Sequence, residues 1–126
     1  MRKNIYLYLA IIWTCSILLL CLEPASELPK IEINNLDKIV HFVFHLVFIF
    51  LWYLYLFSKR KSTNYSTPII LFFVSLVFGI LIEFFQQTFT TSRNGDLLDI
   101  VSNISGAITA ILTLILFQYF RNIKRI

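Results

Sequence analysis

Asp37-Lys38-x-x-His41-Phe42, Glu83-x-x-Gln86 and Arg93-x-x-Asp96-x-x-Asp99-x-x-x-Asn103-x-x-Gly106 set strongly polar residues at fixed spacings in an otherwise apolar chain. Imidazole and carboxylate groups together suit general acid–base chemistry, and His41, Glu83 and Asp99 are the candidate catalytic residues. The planar fork of Arg93 suits a phosphate or another anionic head group, and pairing with Asp96 or Asp99 would neutralise it equally well. Asp37, Lys38, Asp96, Asn103 and Gln86 supply further ionic and hydrogen-bonding contacts to a ligand. His41 and His45 form a His-x-x-x-His pair able to hold a metal with Glu83 or Asp99. No metal is assigned, because Cys ligands and supporting partners are lacking, and the sequence names no cofactor. No Ser–His or Cys–His nucleophile pair stands at a recognisable spacing.

Helices must position these groups, and the chain has little else. It contains 126 residues, 58% of them hydrophobic and only 14% charged, with a mean hydropathy of +0.77. A soluble domain of this size buries only about two-thirds of its unfolded surface, too little to hide so much apolar area. The expected fold is all-α, a single polytopic membrane domain over residues 1–126. Four spans are expected at about 5–22, 39–57, 69–89 and 97–120. An ionisable group inside hydrocarbon costs roughly 2.5–3.5 kcal/mol on insertion scales, so charges kept there call for a reason.

The basic residues set the expected topology. Arg2, Lys3, Lys59, Arg60, Lys61, Arg121, Lys124 and Arg125 fall on one side of the four spans, leaving Lys30, Lys38 and Arg93 on the other. The positive-inside rule then places both termini in the cytoplasm of a bacterial-type cytoplasmic membrane. The net charge of +4 is thus mainly a topology signal, and the scattered cations do not suit nucleic acid. The first apolar run is long for a signal peptide and lacks a small-x-small cleavage site, so an uncleaved helix is expected. Cys15 and Cys21 lie on different helix faces and read as buried apolar thiols.

Helical periodicity sorts the polar residues onto faces. Asp96, Asp99, Asn103 and Gly106 form one stripe; Glu83, Gln86 and Gln87, continued by Gly79, form a second; Asp37, His41 and His45 form a third. His45, Glu83 and Asn103 fall about 9 Å inside the outer ends of their spans. The three faces are therefore expected to meet in a pocket open to the extracytoplasmic surface. Gly79 and Gly106 read as close-packing positions between helices. The Phe-rich run of the second span reads as lipid and packing surface. Since no polar stripe reaches the inner half, a transport pathway is disfavoured.

On these residues the chain resembles the VanZ-like membrane proteins. Asp37, Lys38, His41 and Phe42 match the family's opening motif. Glu83 and Gln86 match the second, and Arg93, Asp96, Asp99, Asn103 and Gly106 the third. The likeness covers residues from about 37 to 110. Ile82 departs from it where many members carry an acid, as does Thr91-Ser92 where Pro-Gly is common. The resemblance implies an integral membrane protein of a family whose named member is linked to low-level resistance to teicoplanin, without a settled activity. The expected partners are membrane lipids, including a lipid-linked cell-wall precursor, or a glycopeptide. Two functions stay open. A binder would hold such a head group with Arg93 on phosphate and Asp99, Asn103 and Gln86 on sugar or peptide. An enzyme would use His41 or Glu83 as general base for transfer or hydrolysis on an envelope lipid.

Overall fold

The computed structural model describes residues 2–23, 35–60, 64–89 and 97–123. They form four helices: α1 (Arg2–Leu22), α2 (Leu36–Arg60), α3 (Ser66–Phe89) and α4 (Leu97–Ile123). Each extends a few residues beyond its expected apolar span. At about 1.5 Å per residue, each is long enough to cross about 30 Å of hydrocarbon, and each is apolar enough to do so. The protein is a multi-pass membrane protein with an all-α, four-helix fold.

Local sequence explains where two of the helices begin. Asn35 takes a left-handed conformation (φ 62°), which asparagine tolerates better than most residues. Its carbonyl accepts the N–H of Ile39, so the chain turns directly into α2. Pro68 lies in the first turn of α3, where the missing N–H sacrifices no helical hydrogen bond.

Side-chain contacts fix how the helices run. Lys38 reaches Asp99, His41 reaches Asn103 and Gln118 reaches Tyr53, at separations of 61, 62 and 65 residues. That nearly constant offset requires α2 and α4 to lie parallel and in register. Gln86, near the end of α3, donates to the carbonyl of Cys21, near the end of α1, at 2.7 Å. Helix α2 is central and packs on the other three, whereas α1 and α4 do not meet among the described residues.

The α2–α4 contact is the tightest. A Cβ on Gly106 would run into the backbone carbonyl of Phe42, and Ala107 and Ala110 continue the small-residue face. Small residues let two helices approach closely in lipid, where packing and interhelical hydrogen bonds replace hydrophobic collapse. On the other side of α2, Trp13 donates its indole N–H to the carbonyl of Phe44 at 3.1 Å. Phe48 and Phe78 stack with centroids 5.3 Å apart between α2 and α3. The outside of the bundle carries exposed Ile, Leu, Val and Phe, among them Leu19, Ile70, Phe84 and Leu112, as a lipid-facing surface requires.

Two expectations about individual residues change. Cys21 is buried, but Cys15 is exposed, because α1 is apolar on every face and burial follows packing against α2 and α3. Gln87 is exposed and does not join the face of Glu83 and Gln86. Of the Phe run, Phe44 and Phe48 enter the core.

Candidate functional site

The polar faces of α2, α3 and α4 meet at the end of the bundle where α2 and α4 begin and α3 finishes. Asp37 and Asp99 each stand in the first turn of their helix, where the helix dipole favours negative charge. Lys38 links them: its Nζ lies 2.6 Å from Asp99 Oδ1 and 3.4 Å from Asp37 Oδ2. Asp99 is buried, while the Asp37 side chain is 51% exposed. The cluster thus opens out of the bundle on the Asp37 side.

One helical turn deeper on α2, His41 is 2% exposed. Its Nδ1 lies 3.1 Å from Asn103 Oδ1 and 4.0 Å from Glu83 Oε1. A carbonyl oxygen only accepts, so Nδ1 carries the proton and donates to Asn103. On the opposite side of the ring, Nε2 is 3.8 Å from both Asp37 Oδ1 and Asp99 Oδ2, beyond hydrogen-bond reach. His41, Glu83 and Asp99 therefore share one buried cluster contributed by three helices. Ile82, beside Glu83, is buried in the apolar core, so no second acid accompanies Glu83 on α3.

A further turn inward, His45 Nδ1 and Ser75 Oγ are 2.7 Å apart, both side chains essentially inaccessible. This is a Ser–His pair that the spacing in sequence did not reveal. Its complete burial makes it an interhelical hydrogen bond rather than an accessible nucleophile. A Cβ on Gly79 would come within 3.0 Å of the His45 ring and 3.1 Å of Asn103 Nδ2, so this glycine makes room for both side chains. Asn103 Nδ2 is buried without a hydrogen-bond partner among the described residues. It borders a cavity of about 10 Å³ shared with His45, Ser75 and Gly79, the size of one water.

The opposite half of the bundle is not wholly apolar. Gln118 Nε2 donates to the Tyr53 hydroxyl at 2.9 Å, with both residues buried. Phe48, Ile49, Ala110 and Leu114 form core between this pair and the Asp99 cluster, and the polar groups make no continuous path among the described residues.

A family model described as VanZ/LLP1 matches residues 4–118. The chain belongs to the VanZ/LLP1 family. An uncharacterized protein of Schizosaccharomyces pombe is 36% identical over 91 residues, which is 71% of this chain and 53% of that protein. The chain thus spans about half the length of the curated relative it matches. No solved structure matches it.

Set against the VanZ-like motifs, the structure brings Asp37, Lys38, His41, Glu83, Asp99 and Asn103 into one region. Gln86 lies at its margin, bound to α1 through the carbonyl of Cys21. Arg93 and Asp96 lie outside the described residues. Ser75, Tyr53 and Gln118 were missed from sequence. Ser75 stands one turn before Gly79 on the face that carries Glu83, and Gln118 continues the α4 stripe through Ala107, Ala110 and Leu114, so periodicity held the signal for two of them.

Proposed function

We propose that this VanZ/LLP1 protein holds the head group of a lipid-linked cell-envelope component and binds or modifies it at the extracytoplasmic leaflet. The observation that carries the reading is the burial of His41, Glu83, Asp99 and Asn103 at one end of the bundle, beside a half-exposed Asp37. Neutral amides would hold three helices together at lower desolvation cost than these charges. Lys38 and Arg93 are the cations for a phosphate group, Arg93 through its fork. Asp96, Asn103 and Gln86 supply further polar contacts. A relative in a yeast favours a head-group feature such as phosphate, shared across kingdoms, over a component peculiar to one kind of wall.

This reading places the chain in a bacterial-type cytoplasmic membrane with both termini inside, following its Lys and Arg distribution. An effect on sensitivity to teicoplanin-type glycopeptides follows if the bound component is a wall precursor. Mass spectrometry of lipids retained by the purified protein tests the proposal. A phosphorylated lipid held by the wild type and lost on Asp99→Asn supports it, and bulk phospholipid alone in both contradicts it.

One observation favours an enzyme acting on the same lipid. His41 is held on its Nδ1 side by Asn103, with Glu83 nearby, the arrangement of an oriented imidazole whose second nitrogen is directed at a reacting group. His41, Glu83 and Asp99 would then share acid–base work in transfer or hydrolysis. Turnover of the retained lipid by wild type and its loss in His41→Gln distinguish the enzyme from the binder.

A further inference from the structure

We propose that Asp37, His41 and Asp99 form a binding site for one divalent cation of the zinc or manganese type. One donor atom from each residue lies within 4.8 Å of the other two. The donors are Asp37 Oδ1, His41 Nε2 and Asp99 Oδ2, with the histidine nitrogen 3.8 Å from each oxygen. Two donors about 2.1 Å from a tetrahedral ion stand roughly 3.4 Å apart, so each 3.8 Å histidine–carboxylate gap closes by a few tenths of an ångström, and the two carboxylate oxygens, within 4.8 Å of each other, draw together by up to about 1.4 Å.

The tautomer of His41 is a second and independent pointer. Nδ1 faces the Asn103 carbonyl oxygen at 3.1 Å and Glu83 Oε1 at 4.0 Å, and therefore carries the proton. In the neutral ring Nε2 then presents its lone pair. That nitrogen is buried, makes no hydrogen bond among the described residues and faces two carboxylate oxygens. A divalent cation placed between this lone pair and the two oxygens would join all three donors. An imidazole whose far N–H is fixed by an amide or carboxylate oxygen is the usual state of a metal-bound histidine.

Lys38 does not occupy the proposed position. It uses Asp99 Oδ1 and Asp37 Oδ2, leaving the other oxygen of each carboxylate turned toward His41. Because Asp37 is half exposed, the remaining coordination positions open out of the bundle, where water or a phosphate oxygen completes the shell. The site stands without the lipid reading, although the two agree.

The test uses tag-free, chelator-treated full-length protein in lipid-free detergent, titrated with zinc by calorimetry. The expected result is one zinc per chain, with affinity at least tenfold weaker in Asp37→Asn, whose position at a half-exposed helix start keeps the fold safe. Asn103→Ala should weaken binding by about 10–100-fold through loss of the Nδ1 partner, whereas Lys38→Met should retain it. With only two histidines in the chain, nitrogen NMR reads the ligand directly: zinc should shift Nε2 of His41 and leave His45 little changed. Zinc binding unaffected by Asp37→Asn, a direct shift on His45, or no binding by the folded wild type overturns the proposal. A lipid retained without zinc, or zinc bound without lipid, separates this claim from the head-group reading.

Discussion

His41 and Asn103, 62 residues apart in sequence, meet across the α2–α4 interface with Nδ1 and Oδ1 3.1 Å apart. The contact lies close to where Gly106 packs on the Phe42 carbonyl. The close backbone approach and the oriented imidazole are therefore parts of one arrangement: moving the helices apart would release the ring.

Gly106→Ala should consequently be among the most damaging small substitutions in the chain. The new methyl meets backbone rather than a flexible side chain, so the helices must separate, at the upper end of the ~1–3 kcal/mol typical of overpacking. Gly79→Ala meets only the His45 and Asn103 side chains and should cost less, about 1 kcal/mol. Thermal unfolding in detergent checks the order; equal stability of the two variants would refute the close-approach argument.

Asn103→Ala removes the acceptor of the buried His41 Nδ1–H. A loss of about 1–3 kcal/mol is expected, the cost of leaving a buried polar group without its partner. Nitrogen NMR of the two histidines should show the His41 tautomer becoming mixed while His45, bonded to Ser75, keeps its own. An unchanged His41 spectrum would show that Asn103 does not set the ring.

Tyr53→Phe deletes the hydroxyl that accepts from Gln118 and should lower stability by about 1 kcal/mol. Lipid retention should be unaffected, because the pair is separated from the Asp99 cluster by apolar core. Loss of retention at wild-type stability would extend the site through the bundle.

A reporter fused after Arg125 should be active only on the cytoplasmic side. Activity confined to the outside would invert the topology and move the cluster to the opposite leaflet.

The sequence made much of this legible because period and burial coincide on α4. Asp99, Asn103 and Gly106 share one face by spacing alone, and all three are buried there. The same reading stopped at Gly106, since the apolar stretch beyond it hid the return of a polar group at Gln118. His45 and Ser75 could not be paired from sequence, because the register of α3 on α2 is set by packing such as the Phe48–Phe78 stack. Cys15 was misplaced because an all-apolar helix does not mark its buried face. Asp37 and His41 share a face by spacing, and that face was expected to meet the one carrying Asp99, but the Lys38 bridge between Asp37 and Asp99 depends on the register of α2 on α4.

The central claim is that the buried charges serve a ligand rather than the bundle. Glu83→Gln with Asp99→Asn preserves shape while removing two ionisable groups, and relief from desolvation can leave such a variant equally or more stable. The decisive measurement is mass spectrometry of the lipids that copurify with this double variant and with wild type, each confirmed folded by thermal unfolding. The expected result is a phosphorylated lipid retained by the wild type and absent from the folded double variant. Identical lipid complements in two equally folded proteins would contradict the claim and leave the charges as interhelical structure.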